Sequence, residues 1–237
     1  YLIRRGRTAT IRSMTFPAHR RAKPYCMGTL FWQLNDCWPA ISWSSIDYYG
    51  RWKALQHYAR RAYSPVLISP YMDGEKVSVK AISDKAEAFE GRMEAFIMDF
   101  GGDILWNETI GCRLQADESA DLMSVDTALL AGNRLLYVRI LKDGVTVSEN
   151  TFYTRFPKEY EYGCPEISFE VQECAEGLEL TVSSDRLARG LYLFSDNADD
   201  FFEDNYMDLL PGFPRKITVR TGSTAEEFKT TLKYQTL

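Results

Sequence analysis

The side chains best suited to chemistry crowd into the first quarter of the chain. Trp32-Gln33-Leu34-Asn35-Asp36 is followed by Trp38, Trp43 and Trp52, so four of the five tryptophans fall within 21 residues. Sugars need this mixture: indole faces stack on their apolar faces, while planar amides and carboxylates exchange hydrogen bonds with hydroxyls. The same tryptophans could instead be packing groups beneath an adjoining β domain, and composition does not separate the two readings. The remaining inventory is thin. His19 and His57 are the only histidines and lack HExxH spacing, and there is no Walker loop, GxGxxG or GxSxG elbow. His57 lies beside an apolar helical stripe and is read as a packing or surface residue. The cluster Asp196, Asp199, Asp200, Glu203, Asp204 and Asp208 offers hard oxygens of the kind calcium takes, but not at EF-hand spacing, which favours a solvated loop. No cofactor is implied. Asn107-Glu108-Thr109 is a glycosylation sequon only in a host that glycosylates.

Cysteine spacing adds one exclusion. Cys26, Cys37, Cys112, Cys164 and Cys174 contain no CxxC pair. With residues 28–36 as one strand, Cys26 and Cys37 stand about 36 Å apart, far beyond disulfide reach. Reduced thiols, mostly buried, are expected.

The elements that must position the tryptophans are a strand, a loop and a helix. Residues 1–25 carry a faint helical stripe (Ile11, Met14, Phe16) interrupted by Pro17 and Pro24. Met27–Asp36 has β-formers at its centre and reads as a buried strand. Pro39 and the serines at 42, 44 and 45 make a loop carrying Trp38 and Trp43. From Arg51 the apolar spacing changes to three and four, with Trp52, Leu55, Tyr58 or Ala59, and Ala62 on one face, Arg60 and Arg61 in the last turn, and Pro65 as the stop.

Beyond Pro65 the pattern turns to β. Strands are expected at Lys76–Ser83, Glu90–Phe100, Ile104–Arg113, Leu122–Thr127, Arg134–Leu141 and Thr146–Phe156. Asp73-Gly74, Gly101-Gly102, Gly132-Asn133 and Asp143-Gly144 punctuate them. Pro157 to Pro165 reads as a linker. Further strands are expected at Ile167–Cys174, Leu178–Ser184, Gly190–Phe194, Arg215–Arg220 and Phe228–Tyr234. The fold class is therefore mostly β: two immunoglobulin-like antiparallel sandwiches after a helix-strand-helix segment. The boundaries are 1–64, 65–157 and 158–237.

Charge divides at the same place. Residues 1–63 hold 11 Lys+Arg against Asp36 and Asp47, a local +9, and the other 174 residues hold 17 against 31, a local −14. With 45% hydrophobic and 14% aromatic residues the chain is globular. A net charge of −5 without a basic stripe argues against nucleic acid, and no apolar run approaches the ~18 residues of a membrane span. The first residue is Tyr1 rather than Met, which suggests a piece of a longer protein.

The run MGTLFWQLNDCWPAISWSSIDYYGRWKALQHYARRAY, residues 27–63, resembles the last strand-loop-helix unit of the catalytic barrel in β-mannosidases of glycoside hydrolase family 2. The stretches FSDN and NYMDLLPG resemble the C-terminal β domain of the same enzymes. The resemblance implies a (β/α)8 barrel flanked by sandwiches and a retaining mechanism that removes terminal β-linked mannose, with one Glu as acid/base and another as nucleophile. Both glutamates lie on earlier barrel strands, and the first Glu here is Glu75, so no catalytic residue carries over. Trp32 matches the family's last-strand tryptophan under the sugar, with Asn35 and Asp36 following as substrate-binding candidates. The implied partner is a carbohydrate, with homo-oligomerisation through the sandwiches conceivable; the resemblance favours a bacterial periplasm or cytoplasm. The rivals are a β-galactosidase or β-glucuronidase of the same family and a non-catalytic carbohydrate-binding β module.

Overall fold

The computed structural model describes residues 15–237. Ile11 and Met14 of the first helical stripe lie outside the described residues. Among the described residues, fourteen strands in antiparallel sheets and a few short helices make the protein mostly β, as the sequence predicts. Two compact units are present: the described residues up to Ile97 with Leu105–Arg155, and Met98–Ile104 with Phe156–Leu237.

The first unit holds β1 (Val66–Asp73), β2 (Lys76–Ser83), β3 (Phe89–Asp99), β4 (Ile104–Leu114), β5 (Ser119–Asp126), β6 (Arg134–Lys142) and β7 (Val145–Phe152). They form sheets of order β1-β2-β5 and β4-β3-β6-β7. Alternate residues point inward, so Ile68, Val77, Val79 and Ala81 share one core with Met93, Ala95, Leu136, Val138 and Ile140. β1, where the sequence reading places no strand, carries Pro70 within it. The structure places β1 at a sheet edge, where a missing N–H breaks no ladder. Its backbone also reaches β7, with Ile68 N–H donating to Ser148 Oγ at 2.9 Å. Between β6 and β7, Asp143 and Gly144 both take positive φ (52° and 80°), the geometry of a two-residue hairpin turn.

Before β1 lie the helical residues 15–21 (α1) and α2 (Ala54–Ala62). Phe16, Leu55, Ala59 and Ala62 form a small core with Phe31. Arg20 is buried and closes the end of α2, its guanidinium donating to Ala62 O (2.6 Å), Ser64 O (2.7 Å) and Asp84 Oδ2 (2.8 Å). Arg21 donates to Ser69 Oγ at 2.7 Å and lies over the Tyr71 ring. This contact accounts for the burial of the Ser69 hydroxyl.

Residues 27–34 form no strand, contrary to the sequence reading. Leu30, Trp32 and Leu34 are exposed; Phe31 packs in the small core, and the regular backbone pairing of this stretch is a single parallel bridge at its end, Asn35 to Ile46. Strand composition without a neighbouring strand leaves a backbone with no ladder to enter.

The second unit pairs a sheet of order β11-β13-β9-β8 with one of order β12-β10-β14. The strands are β8 (Ile167–Cys174), β9 (Gly177–Ser184), β10 (Ala188–Phe194), β11 (Phe201–Phe202), β12 (Met207–Leu209), β13 (Arg215–Arg220) and β14 (Lys233–Gln235). Leu180, Val182, Leu191, Leu193, Val219 and Phe228 fill its core. The stretch 228–234, expected as a strand, begins inside the helix α3 (Ala225–Thr231). A reciprocal cap decides this: Thr224 Oγ1 accepts from Glu227 N–H while Glu227 accepts from Thr224 N–H. The expected linker is also packed, since Tyr160 is buried and Tyr162 stacks on Phe100 at 5.5 Å. All five cysteines are free, as expected, but only Cys112 is buried. Cys37, Cys164 and Cys174 are exposed because each occupies a loop or strand end rather than a core position.

Candidate functional site

The aromatic segment gets its shape from backbone hydrogen bonds between two stretches that flank a loop. Ile46 N–H donates to Leu34 O (2.8 Å), Asp36 N–H to Ile46 O (3.1 Å) and Lys53 N–H to Ser45 O (2.9 Å). Residues 37–41 project between these ties without regular structure, and Trp38 and Ile41 are exposed at 69% and 80%. Trp32 is 73% exposed and Trp43 56%, so neither is a packing residue among the described residues. Only Trp52 of the four is half-buried, its ring edge-on to His57 at 5.2 Å. Trp43 Nε1 donates to Gln33 Oε1 at 3.3 Å, and Gln33 Nε2 donates to Asn35 O at 2.7 Å. An exposed ledge of indoles and a carboxamide results, chemically matched to a sugar.

The three candidates from the sequence have different surroundings. Trp32 and Asn35 are exposed. Asp36 is buried, and both of its oxygens are engaged. Ser42 Oγ donates to Oδ1, and Ser44 Oγ (2.7 Å) and Lys53 Nζ (2.7 Å) donate to Oδ2. These hydrogen bonds, Lys53 first, pull the carboxyl down to about 2 from its ordinary 3.8. Sequence reasoning missed Lys53, which stands 17 positions from Asp36 and shares no local motif with it. Gln33 was quoted in the motif but not selected. Asp47 closes its own turn, accepting from the N–H groups of Tyr49 (2.9 Å) and Arg51 (3.0 Å). The residue at the helix N-cap is Lys53.

His57 is buried, and its imidazole is pushed down to about 3 by burial and then by the positive Arg61 and Arg60. Among the described residues, no group of three or more His, Cys, Asp or Glu side chains could hold a metal ion. Three carboxylates of the acidic loop are engaged outside it: Asp196 pairs with Lys233, Glu203 with Arg220, and Asp208 accepts from Gly190 N–H. Asn205 organises that loop from inside, bonding both the N–H and the C=O of Leu193 at 2.8 Å.

Comparison with known proteins identifies both β regions. Residues 75–159 match the Mannosidase Ig/CBM-like domain family, and residues 164–237 match the Ig-fold domain family of mannosidases. Beta-mannosidase A of Aspergillus fumigatus is 27% identical over 236 residues, which is 89% of this chain and 25% of that protein. The crystal structure of the beta-D-mannosidase from Dictyoglomus thermophilum superposes with a TM-score of 0.89 at 25% identity, over 96% of this chain and 28% of that one. The chain matches the C-terminal portion of β-mannosidases of glycoside hydrolase family 2. It spans about a quarter of the length of these curated β-mannosidases. The β-mannosidase of Capra hircus is 45% identical over 62 residues, 26% of this chain and 7% of that protein. An exo-chitosanase from Amycolatopsis orientalis shares the fold, with a TM-score of 0.68 at 17% identity over 93% of this chain and 32% of that one. Among the described residues no helix of this β-mannosidase-like chain is long and apolar enough to cross a membrane.

Proposed function

We propose that the chain is the C-terminal part of a retaining exo-glycosidase that removes terminal β-linked mannose from oligosaccharides or glycoconjugates. In this reading residues 1–64 end a (β/α)8 catalytic barrel, and 65–157 and 158–237 are its immunoglobulin-like sandwiches. One observation carries it: the exposed Trp32 and Trp43 lie in an apolar segment of strand composition but without a ladder, followed along the chain by the packed helix α2, as expected of a barrel unit without its neighbouring strands. Such a segment acquires its ladder only between neighbouring barrel strands, which accounts for strand composition without strand pairing here. Trp32 then faces the reacting sugar, with Asn35 at the rim.

Retaining hydrolysis needs two carboxyl groups about 5–5.5 Å apart, one to attack the anomeric carbon and one to move the leaving-group proton. Asp36 is committed to Lys53 and Ser44, and Asp47 to its own turn and Arg51. The reactive pair therefore comes from elsewhere in the whole protein, and this chain alone is inactive. The test compares the full-length protein with purified chain on aryl β-mannoside, β-galactoside and β-glucuronide. The expected outcome is mannoside turnover by the full-length protein only. Turnover by the chain alone at the ordinary enzymatic ~1–10³ per second overturns the fragment reading. A full-length preference for galactoside or glucuronide overturns the sugar assignment.

A further inference from the structure

We propose that the Asp36–Lys53 pair is a positioning latch, holding the loop between residues 36 and 44 so that Trp43 and Gln33 form a fixed part of the sugar-facing surface. The inference rests on the glycosidase reading and assigns roles to residues that touch no sugar themselves.

Three observations point to it. First, Asp36 is buried and Lys53 half-buried, their side chains 5% and 16% exposed, whereas Trp38 and Ile41 between the anchor points stand in solvent. Second, the polar groups interlock. Lys53 Nζ donates to Asp36 Oδ2 (2.7 Å) and Ser44 Oγ (2.6 Å), Ser44 Oγ bonds Asp36 Oδ2 (2.7 Å), and Ser44 N–H donates to Ser42 Oγ (3.0 Å). Residues 42 and 44 are thereby fixed on both sides of Trp43. Third, the exposed groups are tied onward from that base, Trp43 Nε1 to Gln33 Oε1 and Gln33 Nε2 to Asn35 O. Lys53 is itself held by its backbone at the start of α2, so the latch refers the loop to the packed helix.

Physical chemistry separates this role from bulk stabilisation. Desolvating a carboxylate and an ammonium largely cancels their attraction, so such a pair fixes geometry more than it adds stability. With its carboxyl held near 2, Asp36 stays ionised and the latch stays closed throughout the neutral and mildly acidic range. Gln33 and Trp43 would contact the sugar alike in the ground and transition states. Releasing them removes uniform binding, which raises KM and spares kcat, whereas loss of folded enzyme lowers apparent kcat and spares KM.

The experiment uses the full-length protein and its Asp36→Asn, Lys53→Met and double variants, labelled with fluorotryptophan. The Trp43 signal is assigned by Trp43→Phe, and Trp106 in β4 serves as the reference. Kinetics with an aryl β-mannoside should show KM raised about tenfold and kcat within about threefold, a tenfold change being about 1.4 kcal/mol. The double variant should be no worse than the poorer single, as coupled partners require. In fluorine NMR the Trp43 signal should shift or broaden while Trp106 stays in place. An unchanged Trp43 signal, a fall in kcat alone, or Trp43 and Trp106 moving together overturns the latch. A wild-type protein that hydrolyses none of the aryl β-mannoside, β-galactoside and β-glucuronide ends the glycosidase reading, and the Trp43 signal then decides the latch by itself.

Discussion

Lowering the pH from 7 to 5 should loosen the packing of α2, and one side chain should account for the effect. His57 is 3% exposed and lies edge-on to Trp52. Burial, reinforced by Arg61 and Arg60, lowers its imidazole from 6.5 to about 3. Between those values the folded protein keeps the ring neutral while the opened segment binds a proton, so stability is complete above 6.5 and falls as the pH drops towards 3. Each unit of pH in that window costs about 1.4 kcal/mol, so the step from 6.5 to 5 removes about 2 kcal/mol, or roughly 30-fold in the opening equilibrium. The assay is hydrogen exchange of the α2 amides, corrected for the intrinsic pH dependence of exchange, in the wild type and in His57→Gln. Glutamine does not titrate, so its protection should be flat over the same range. Asp36, held near 2, contributes no slope there. Equal pH slopes in the two proteins, or a His57 titration seen by NMR near 6.5, would refute the reasoning.

Trp32→Ala in the full-length protein should lower both kcat and kcat/KM by at least about tenfold, because the ring contacts the sugar as it flattens towards the oxocarbenium-like state; unchanged kinetics in a folded variant would show that Trp32 only packs. Arg20→Met should cost about 3 kcal/mol in thermal unfolding, since it abandons the Ala62 and Ser64 carbonyls and leaves Asp84 with Lys23 as its remaining cation. A loss below about 1 kcal/mol would mean that water replaces the guanidinium there. Asn205→Ala should destabilise the second unit by about 2 kcal/mol by stranding both backbone groups of Leu193, read as a lowered denaturant midpoint with unchanged slope.

The sandwiches are legible in the sequence wherever a strand has two neighbours or a polar outer face. Val77, Val79 and Ala81 alternate, Asp143-Gly144 turns the chain, and most strands appear within a residue or two of where the alternation places them; β5 starts at Ser119 rather than 122 and β7 ends at Phe152 rather than 156. The failures share a cause, in that a local rule met a competing local signal. Pro70 hides β1 because the rule against proline applies to central strands and β1 is an edge. Phe228 and its neighbours have strand composition, yet Thr224 and Glu227 cap the preceding turn and convert it to helix. The short β11 and β12 carry too few residues for any period to show.

The candidate site divides along the same line between local and distant determinants. The indoles and amides of residues 32–43 are readable because side-chain chemistry alone marks them, and the structure leaves Trp32, Trp38 and Trp43 exposed. What the sequence hides is the support. Asp36 looks like its neighbours Asn35 and Gln33 until Lys53, 17 positions later, folds back onto it and turns a sugar-lining candidate into a buried anchor. Such a pair has no spacing rule, since the distance along the chain depends on how much loop is enclosed. The exposure of Leu30, Trp32 and Leu34 is informative for the converse reason. Burying large apolar groups is the main gain of folding, so a run this apolar stays uncovered only where its partners are other chain or ligand. In the glycosidase reading proposed above, the tryptophan ledge and the missing strand ladder become one observation: the residues proposed to meet a sugar are those proposed to lie beside barrel strands.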